Sequence, residues 1–319
     1  LIWSFIYCTT QAVSEVFRGF HRILLASVTS GVVLNVVVLI GLISYSLFFG
    51  ISFDVEPVIQ IFIFANLANL GVQVLAFLKM SKITQLNQTK KYNVLINSET
   101  ISFWLNSIFL LILTQSDIWL IGVLGTTGDV AIYAISVKLA VVFSLPLLVV
   151  NAVLPPIISE YYAKKELREL ERKLRLVATI TGGLSLFSLF LLFVLGEEAI
   201  KFVYGSQYVD SFSILLVLAI GQVFNVGCGS SGLVLTYTGN STALLRITAL
   251  TGVITVVFSV LGFYLGQTLG VAAAISFGLI LQNVIMAYVV KRKLGIITYM
   301  QFNILLSIRG RILCYMKRN

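Results

Sequence analysis

The sequence predicts an all-α protein, a polytopic bundle of about eight transmembrane helices. Of its 319 residues, 58% are hydrophobic and only 11% are charged, and the mean hydropathy is +1.00. A soluble domain typically carries about 25% charged residues, so lipid is the solvent that fits this composition. The apolar residues also form long continuous runs, whereas the strands of a membrane β-barrel would alternate between apolar and polar residues.

Eight apolar segments are long enough to cross a bilayer, which takes about 20 residues of helix. They are rich in Gly, Ala, Ser and Thr, the small residues that let helices approach closely in lipid. The predicted spans are 24–49, 57–78, 100–124, 130–158, 174–195, 211–236, 243–265 and 268–290.

The basic residues alternate along the chain in a way that predicts its orientation. All of the Lys and Arg residues except Lys138 and Lys201 precede the first span or follow the second, fourth, sixth and eighth spans. The positive-inside rule makes these loops cytoplasmic, so we expect a multi-pass protein of the bacterial inner (plasma) membrane with a cytoplasmic C-terminus. A nucleic-acid binder would instead carry its net charge of +9 on a polar surface, so no nucleic acid is expected as a partner.

Two cytoplasmic stretches have patterns of their own. Residues 159–175 combine helical apolar spacing with charge pairs four residues apart, which predicts a helix lying on the inner membrane surface after a bend at Pro155-Pro156. The stretch 296–319 is basic and has too short an apolar run to span the bilayer, so we expect an interfacial tail.

Two charged residues, apart from arginines near the span ends, fall deep inside predicted spans, where a charge is costly and needs a reason. Asp117 and Lys138 lie at similar depth on adjacent antiparallel helices, and Asn106 shares the face of Asp117. Three interpretations stay open. The two residues form an ion pair that fixes helix register; or they face a water-filled cavity and meet an anionic substrate or a coupling ion; or Lys138 extends outward to the interface.

Amide side chains form further polar stripes, which must point away from lipid because a lipid-facing amide would be unpaired. Such stripes either hydrogen-bond between helices or line a cavity, and the sequence leaves both open. Asn151 lies on a different face from Lys138 unless Pro146 bends the helix. The stripes are Asn66, Asn69 and Gln73 in the second span, and Gln222, Asn225, Gly229 and Thr236 in the sixth, with Gly232 at its margin.

No enzyme active site is visible in the sequence. There is no Walker motif, and the predicted external loops are too short to form a catalytic domain. Cys8, Cys228 and Cys314 are too far apart to read as a metal clip, and His21 stands among arginines. We therefore predict no enzyme, no cofactor and no metal, and a function that consists of moving something across the bilayer.

The third and fourth spans carry the pattern D-x4-G-x10-Y-x4-K, formed by Asp117, Gly122, Tyr133 and Lys138. Pro155 and a basic linker follow, then Tyr204-Gly205 with Tyr208, Leu235 with Gly239, and the run 270–274, Gly-Val-Ala-Ala-Ala. From about residue 12 to 295, this order resembles the polysaccharide-biosynthesis, O-antigen (Wzx-type) flippases of the multidrug/oligosaccharidyl-lipid/polysaccharide exporter superfamily.

The resemblance implies a fold of 12 to 14 helices in two six-helix lobes around a central cavity. Residues 1–91 would be the last part of the first lobe, 92–295 the complete second lobe, and 296–319 the cytoplasmic tail. About four N-terminal helices would then be missing from this chain. Because a cavity walled by one and a third lobes cannot alternate its access, the resemblance leaves the chain's own transport competence open.

For this family the resemblance implies an undecaprenyl-pyrophosphate-linked oligosaccharide as substrate, moved from the inner to the outer leaflet for surface polysaccharide assembly. Lys138 would suit the pyrophosphate, and Asp117 would be a site for a coupling ion, H⁺ or Na⁺. Membrane lipids, a polysaccharide polymerase and a chain-length regulator would be partners.

Three alternatives to this function stay open from the sequence. A cation-coupled small-molecule or drug antiporter of the same superfamily should favour acidic cavity residues over Lys138. A membrane-embedded polysaccharide polymerase or glycosyltransferase would need a large external loop, and the predicted loops are short. A lipid II flippase is expected to carry more cationic cavity residues.

The charge pattern makes a prediction about topology. With the three native cysteines replaced by serine, a cysteine introduced as Lys164→Cys should resist a membrane-impermeant maleimide in intact cells and react after permeabilisation. Thr127→Cys, on the opposite side, should react in intact cells and is the matched control. Labelling of Lys164→Cys in intact cells would contradict the predicted orientation.

Overall fold

The computed structural model describes residues 2–19, 25, 28–49, 55–83 and 98–301, and every regular element in these ranges is helical. Each of the eight predicted spans lies largely on helix, which confirms the all-α prediction. Five helices of the described ranges are long and apolar enough to cross a membrane: Glu56–Lys79, Thr127–Asn151, Leu167–Tyr204, Ser211–Cys228 and Ser241–Leu294.

Contacts between residues divide the chain into two units, Leu1–Asn93 and Val94–Asn319. The assignment of residues 1–91 and 92–295 to two lobes of a larger transporter stays a prediction. Most of the buried polar and apolar residues described below belong to the second unit.

The first unit contains helix α1 (Ile2–Gly19), a π-helical turn (Val28–Val32), helix α2 (Val33–Phe49) and helix α3 (Val55–Ile83). Helix α3 packs against both α1 and α2. The first unit has a small buried apolar cluster, which consists of Leu34 and Val38 of α2 and Ala65 of α3.

The second unit is built from longer and partly broken helices. In chain order they are α4 (Ser98–Leu124), α5 (Thr127–Ala140), α6 (Leu145–Asn151), α7 (Leu154–Ala163), α8 (Leu167–Tyr204), α9 (Ser211–Cys228), α10 (Ser231–Tyr237) and α11 (Ser241–Leu294). Short 3₁₀ segments, Val141–Ser144 and Ser206–Tyr208, join α5 to α6 and α8 to α9. Helix α11 packs against α4, α9 and α10, and α9 also packs against α5 and α8.

A tight turn sets α5 against α4. Thr126 caps α5: its hydroxyl accepts a hydrogen bond from the Asp129 N–H (3.3 Å), and the Asp129 carboxylate accepts one from the Thr126 N–H (2.8 Å). This reciprocal capping box stabilises the first turn of α5.

Helix α11 is a hairpin of two arms, because Gly266 and Gln267 leave the helical conformation in its middle. The first arm is 241–265 and the second arm is 268–294, which agree with the predicted seventh and eighth spans. The arms touch through glycines: a Cβ at Gly270 would overlap the Gly262 carbonyl, and one at Gly278 would overlap the Thr255 hydroxyl. Small residues thus allow the close approach.

The prediction of a separate surface helix at 159–175 is wrong. Helix α7 ends at Ala163, and the chain turns through Lys165, whose φ is +60°. Helix α8 then starts at Leu167 and continues unbroken to Tyr204. The physical reason is that Leu170 and Leu174, which gave the segment its amphipathic pattern, are buried in the core of the second unit with Leu235.

Hydroxyl side chains hold the helices of the second unit together. Ser136 of α5 donates to the Ser211 carbonyl (3.1 Å), Ser185 of α8 to the Phe143 carbonyl (2.8 Å), and Ser276 of α11 to the Val217 carbonyl (2.9 Å). Each bond pairs a polar group that lipid would leave unsatisfied.

The segment that follows α11 packs into the second unit. Residues 295–301, called the strap below, cross α8 and α9: the Met300 N–H donates to the Gly227 carbonyl (2.8 Å), and the Ser231 and Thr298 hydroxyls are 2.7 Å apart. Ile296 and Thr298 are buried. The start of the predicted interfacial tail is therefore part of the helix bundle, because it has polar partners there, and residues 302–319 lie outside the described part.

The hairpin contact makes a prediction about stability. Gly270→Ala should lower the free energy of unfolding by about 1–3 kcal/mol, because the added methyl group forces the two arms apart. Gly183→Ala is the control: a Cβ there meets no atom within 4 Å, so helix propensity should leave stability equal or slightly higher. Thermal unfolding in detergent measures both, and equal midpoints for the two variants would contradict the close approach.

Candidate functional site

A polar cavity of about 430 Å³ lies within the second unit, among α4, α6, α9, α10 and α11. Its wall includes places where the helices are interrupted: Ser144 ends a 3₁₀ segment, Asn151 ends α6, and Gly229-Ser230 separates α9 from α10. Irregular backbone at membrane depth is tolerated where it lines a cavity or is buried in protein. The polar and glycine residues of the lining are Asn106, Ser144, Asn151, Asn225, Gly229, Ser230, Gly232, Thr236, Thr248, Gln282 and Asn283.

Three of the predicted asparagines meet in this cavity. Asn106 comes from α4, Asn151 from α6 and Asn225 from α9. The Ser230 hydroxyl donates to the side-chain amide oxygen of Asn151, which ties the end of α6 to the break after α9. The structure therefore joins residues that are far apart in the sequence and that were predicted on three different spans.

The predicted stripe of the sixth span is preserved, although its helix is broken. Asn225, Gly229, Gly232 and Thr236 all line the cavity, and Gln222 reaches it indirectly by accepting a hydrogen bond from the Asn225 amide (3.2 Å). Gly229 has φ +69°, and a Cβ there would overlap the Thr298 carbonyl oxygen of the strap. Both the turn and the close contact thus require glycine.

Sequence reasoning missed Gln282 and Asn283 on the second arm of α11. Both are buried and line the cavity, and Gln282 donates to the Thr248 hydroxyl on the first arm (3.3 Å). The signal was present, since two adjacent amides interrupt an otherwise apolar run. In a membrane helix such a pair must face protein or water.

The cavity offers hydrogen-bonding groups without charge. Among the described residues, its lining includes neither acidic nor basic side chains. The side-chain amide oxygen of Asn106 is buried and has no hydrogen-bond partner among the described residues. An acceptor left unpaired in this way is free for a ligand's hydroxyl or amide. Within the described ranges, no group of His, Cys, Asp or Glu is arranged to hold a metal ion.

The ion pair considered between Asp117 and Lys138 is not formed. Asp117 is buried, and its carboxylate accepts hydrogen bonds from the Tyr133 hydroxyl (3.0 Å) and the Ile118 N–H (2.8 Å). Lys138 is exposed and makes no salt bridge to a described carboxylate. The reason is helix geometry: Tyr133 and Ser136 form the buried face of α5, and Lys138, five residues after Tyr133, points to the other side.

Neither Asp117 nor Lys138 lines the polar cavity. Asp117 follows Asn106 by three turns on the same face of α4, about 16 Å farther along the helix. It lies beside the apolar cluster that contains Ile121 and Tyr133. Its role as an ion site and that of Lys138 as a pyrophosphate site stay predictions.

The stripe of the second span lies in the first unit, where it bonds between elements. Asn69 donates to the Thr29 carbonyl (2.8 Å), and Gln73 donates to the Thr10 carbonyl (3.1 Å) and the Ser14 hydroxyl (2.9 Å). Asn66 donates to its own helix, at the Phe62 carbonyl (2.8 Å). These bonds fit the packing interpretation of the stripe.

Comparison with known proteins shows what this fold is similar to. The sequence matches no family model, and it matches no curated protein. Among solved structures, an aspartate-to-asparagine mutant of the Vibrio cholerae MATE transporter VcmN aligns with a TM-score of 0.61 at 16% identity, covering 85% of this chain and 61% of that one. A MATE structure in the straight conformation aligns with a TM-score of 0.60 at 14% identity, covering 89% of this chain and 65% of that one.

The fold is therefore similar to that of the MATE transporters. This confirms the MATE-like helix-bundle fold that the resemblance implies. The chain spans less than two thirds of the length of these transporters. At such low identity the comparison shows the fold alone.

The contact between Tyr133 and Asp117 makes a prediction. Tyr133→Phe should lower the free energy of unfolding by about 1–3 kcal/mol, because it leaves a buried acceptor unpaired. Lys138→Ala should change stability by less than about 0.5 kcal/mol, since the lysine is exposed. Tyr264→Phe, at a side chain that is 73% exposed, is the matched control. If Lys138→Ala lowered the free energy of unfolding more than Tyr133→Phe did, the result would favour an ion pair between Asp117 and Lys138.

Proposed function

We propose that this chain forms part of a membrane transporter that flips a lipid-linked oligosaccharide, carried on undecaprenyl pyrophosphate, from the inner to the outer leaflet for surface polysaccharide assembly. The observation that carries the proposal is the uncharged, amide-lined cavity within the helices of the second unit. The MATE-like fold and the motif order in the sequence support it.

The chemistry of the cavity suits a sugar. A sugar presents many hydroxyl groups that both donate and accept, and an amide side chain does the same. Asn225 and Gln282 each use an amide hydrogen within the protein, while the buried Asn106 carbonyl oxygen stays unpaired within the described residues. A ligand rich in hydroxyls would satisfy such groups, and an apolar ligand would leave them unpaired.

In this proposal the remaining predicted residues act outside the cavity. Lys138, exposed on α5, attracts the pyrophosphate, and the buried Asp117 is the site of the coupling ion, H⁺ or Na⁺. Access alternates by rocking of two lobes, as is usual for transporters built from repeats. The partners are membrane lipids, a polysaccharide polymerase and a chain-length regulator, at the bacterial plasma membrane with the C-terminus inside.

A cation-coupled small-molecule or drug antiporter is the second candidate. The likeness to MATE structures favours it. Against it stands the cavity lining, in which the described part of the chain places no carboxylate for a cationic drug. The two candidates thus differ in the charge of the cargo.

The proposal predicts a specific defect in cells. In the protein as the cell makes it, Asn106→Leu and Gln282→Leu should each reduce surface polysaccharide at least tenfold at unchanged membrane protein levels, because they remove hydrogen-bonding groups from the cavity. Gln207→Leu, at an exposed residue outside the cavity, is the control and should export normally. Polysaccharide staining and a membrane immunoblot measure both quantities.

The same variants separate the two candidate functions. A cationic dye accumulates in cells whose antiporter is defective. If Asn106→Leu raises dye accumulation and leaves surface polysaccharide unchanged, the antiporter replaces the flippase. If polysaccharide falls and dye accumulation stays constant, the flippase stands.

A further inference from the structure

We propose that the second unit holds an anionic glycerophospholipid in an apolar groove that ends at Lys291. This groove has a volume of about 560 Å³ and is separate from the polar cavity. It lies between α8, α9, the second arm of α11 and the strap. Its lining is Leu186, Val223, Phe224, Gly227, Cys228, Val284, Ala287, Tyr288, Lys291, Tyr299 and Met300.

The groove and the polar cavity occupy opposite faces of the same two helices. On the second arm, Val284, Ala287 and Lys291 line the groove, while Gln282 and Asn283 line the cavity. On α9, Phe224 and Cys228 line the groove and Asn225 lines the cavity. The groove therefore belongs to a different surface, and its side chains are those that suit hydrocarbon.

The floor and one wall of the groove are fixed in place. Val223 and Ala287 are buried, and the strap supplies Tyr299 and Met300. Met300 is held by its N–H bond to the Gly227 carbonyl (2.8 Å), and the next residue, Gln301, donates its N–H to the Thr179 hydroxyl (3.2 Å). A preformed groove loses less conformational entropy on binding a chain than an open helix surface does.

Lys291 gives the groove a charged end. Its position in the last turn of α11 follows about two turns of apolar lining. From Val284 to Lys291 the helix rises about 10 Å, which is less than the roughly 15 Å of hydrocarbon in one leaflet. An acyl chain that lies in the groove with its free end beyond Val284 therefore places the lipid phosphate next to Lys291.

The charges around Lys291 complement a phosphate group. Arg292 and Lys293 follow it directly, and no carboxylate in the described residues forms a salt bridge with it. Lys293 differs, because its ammonium group donates to the side-chain amide oxygen of Asn240 (2.9 Å). It also does not line the groove. Lys291 is therefore the lysine available to a lipid phosphate, and Lys293 is a matched control next to it.

The test measures lipid binding to the purified protein, as the cell makes it, in detergent by native mass spectrometry, with phosphatidylglycerol and phosphatidylcholine of the same acyl chains. We expect one phosphatidylglycerol to bind roughly fivefold more tightly than phosphatidylcholine, the effect of one lysine near a phosphate. Lys291→Ala should abolish this preference and Lys293→Ala should keep it. The inference fails if the two lipids bind equally, or if both lysine variants have the same effect.

A second pair of variants tests the groove apart from the charge. Val284→Trp fills the groove at a side chain that is 50% exposed, and it should weaken binding of both lipids at least fivefold. Val253→Trp, on the first arm outside the groove and 61% exposed, should have no effect. Equal binding by these two variants would overturn the groove as the site. Because the readout is lipid binding, its outcome is independent of the proposed transport.

Discussion

The structure of this chain depends on one constraint: in hydrocarbon, every polar group must find its partner within the protein. At several helix contacts of the second unit, this constraint is met by short hydroxyl side chains that reach the backbone of a neighbouring element. Ser136, Ser185 and Ser276 each donate to a carbonyl of another element. Because these side chains are small, they bring the helices close, and glycines such as Gly270 allow closer approach still.

The same constraint explains where the polar cavity forms. Helices α6 and α9 both stop within the second unit, at Asn151 and Cys228. The ends of these helices leave backbone groups without helical partners, so they require polar neighbours or water. The amides gather at these interruptions, and Ser230 bonds to Asn151 across two of them. A cavity built in this way is polar without being charged, which is the property on which the proposed sugar cargo depends.

On both α9 and the second arm of α11, one face is polar and the other is apolar. One face presents amides to the cavity, and the other presents Phe224, Ala287 and Tyr288 to the apolar groove. The strap spans this boundary, since Thr298 contacts Gly229 of the cavity wall while Met300 lines the groove. A phospholipid in the groove would therefore contact the element that also packs against Gly229 of the cavity wall.

Sequence alone determined the all-α class and the eight apolar segments, because hydropathy over some 20 residues is a local property. It also singled out Asn106, Asn151 and Asn225 as candidate pathway residues, since an amide is unstable against lipid wherever the helix lies. Tertiary structure decided which of these residues meet. Asp117 accepts a hydrogen bond from Tyr133 and does not pair with Lys138. Leu170 and Leu174 belong to the core and not to a surface helix. A helical pattern fixes the direction of a side chain around its own axis, and only the packing of helices fixes what that side chain touches.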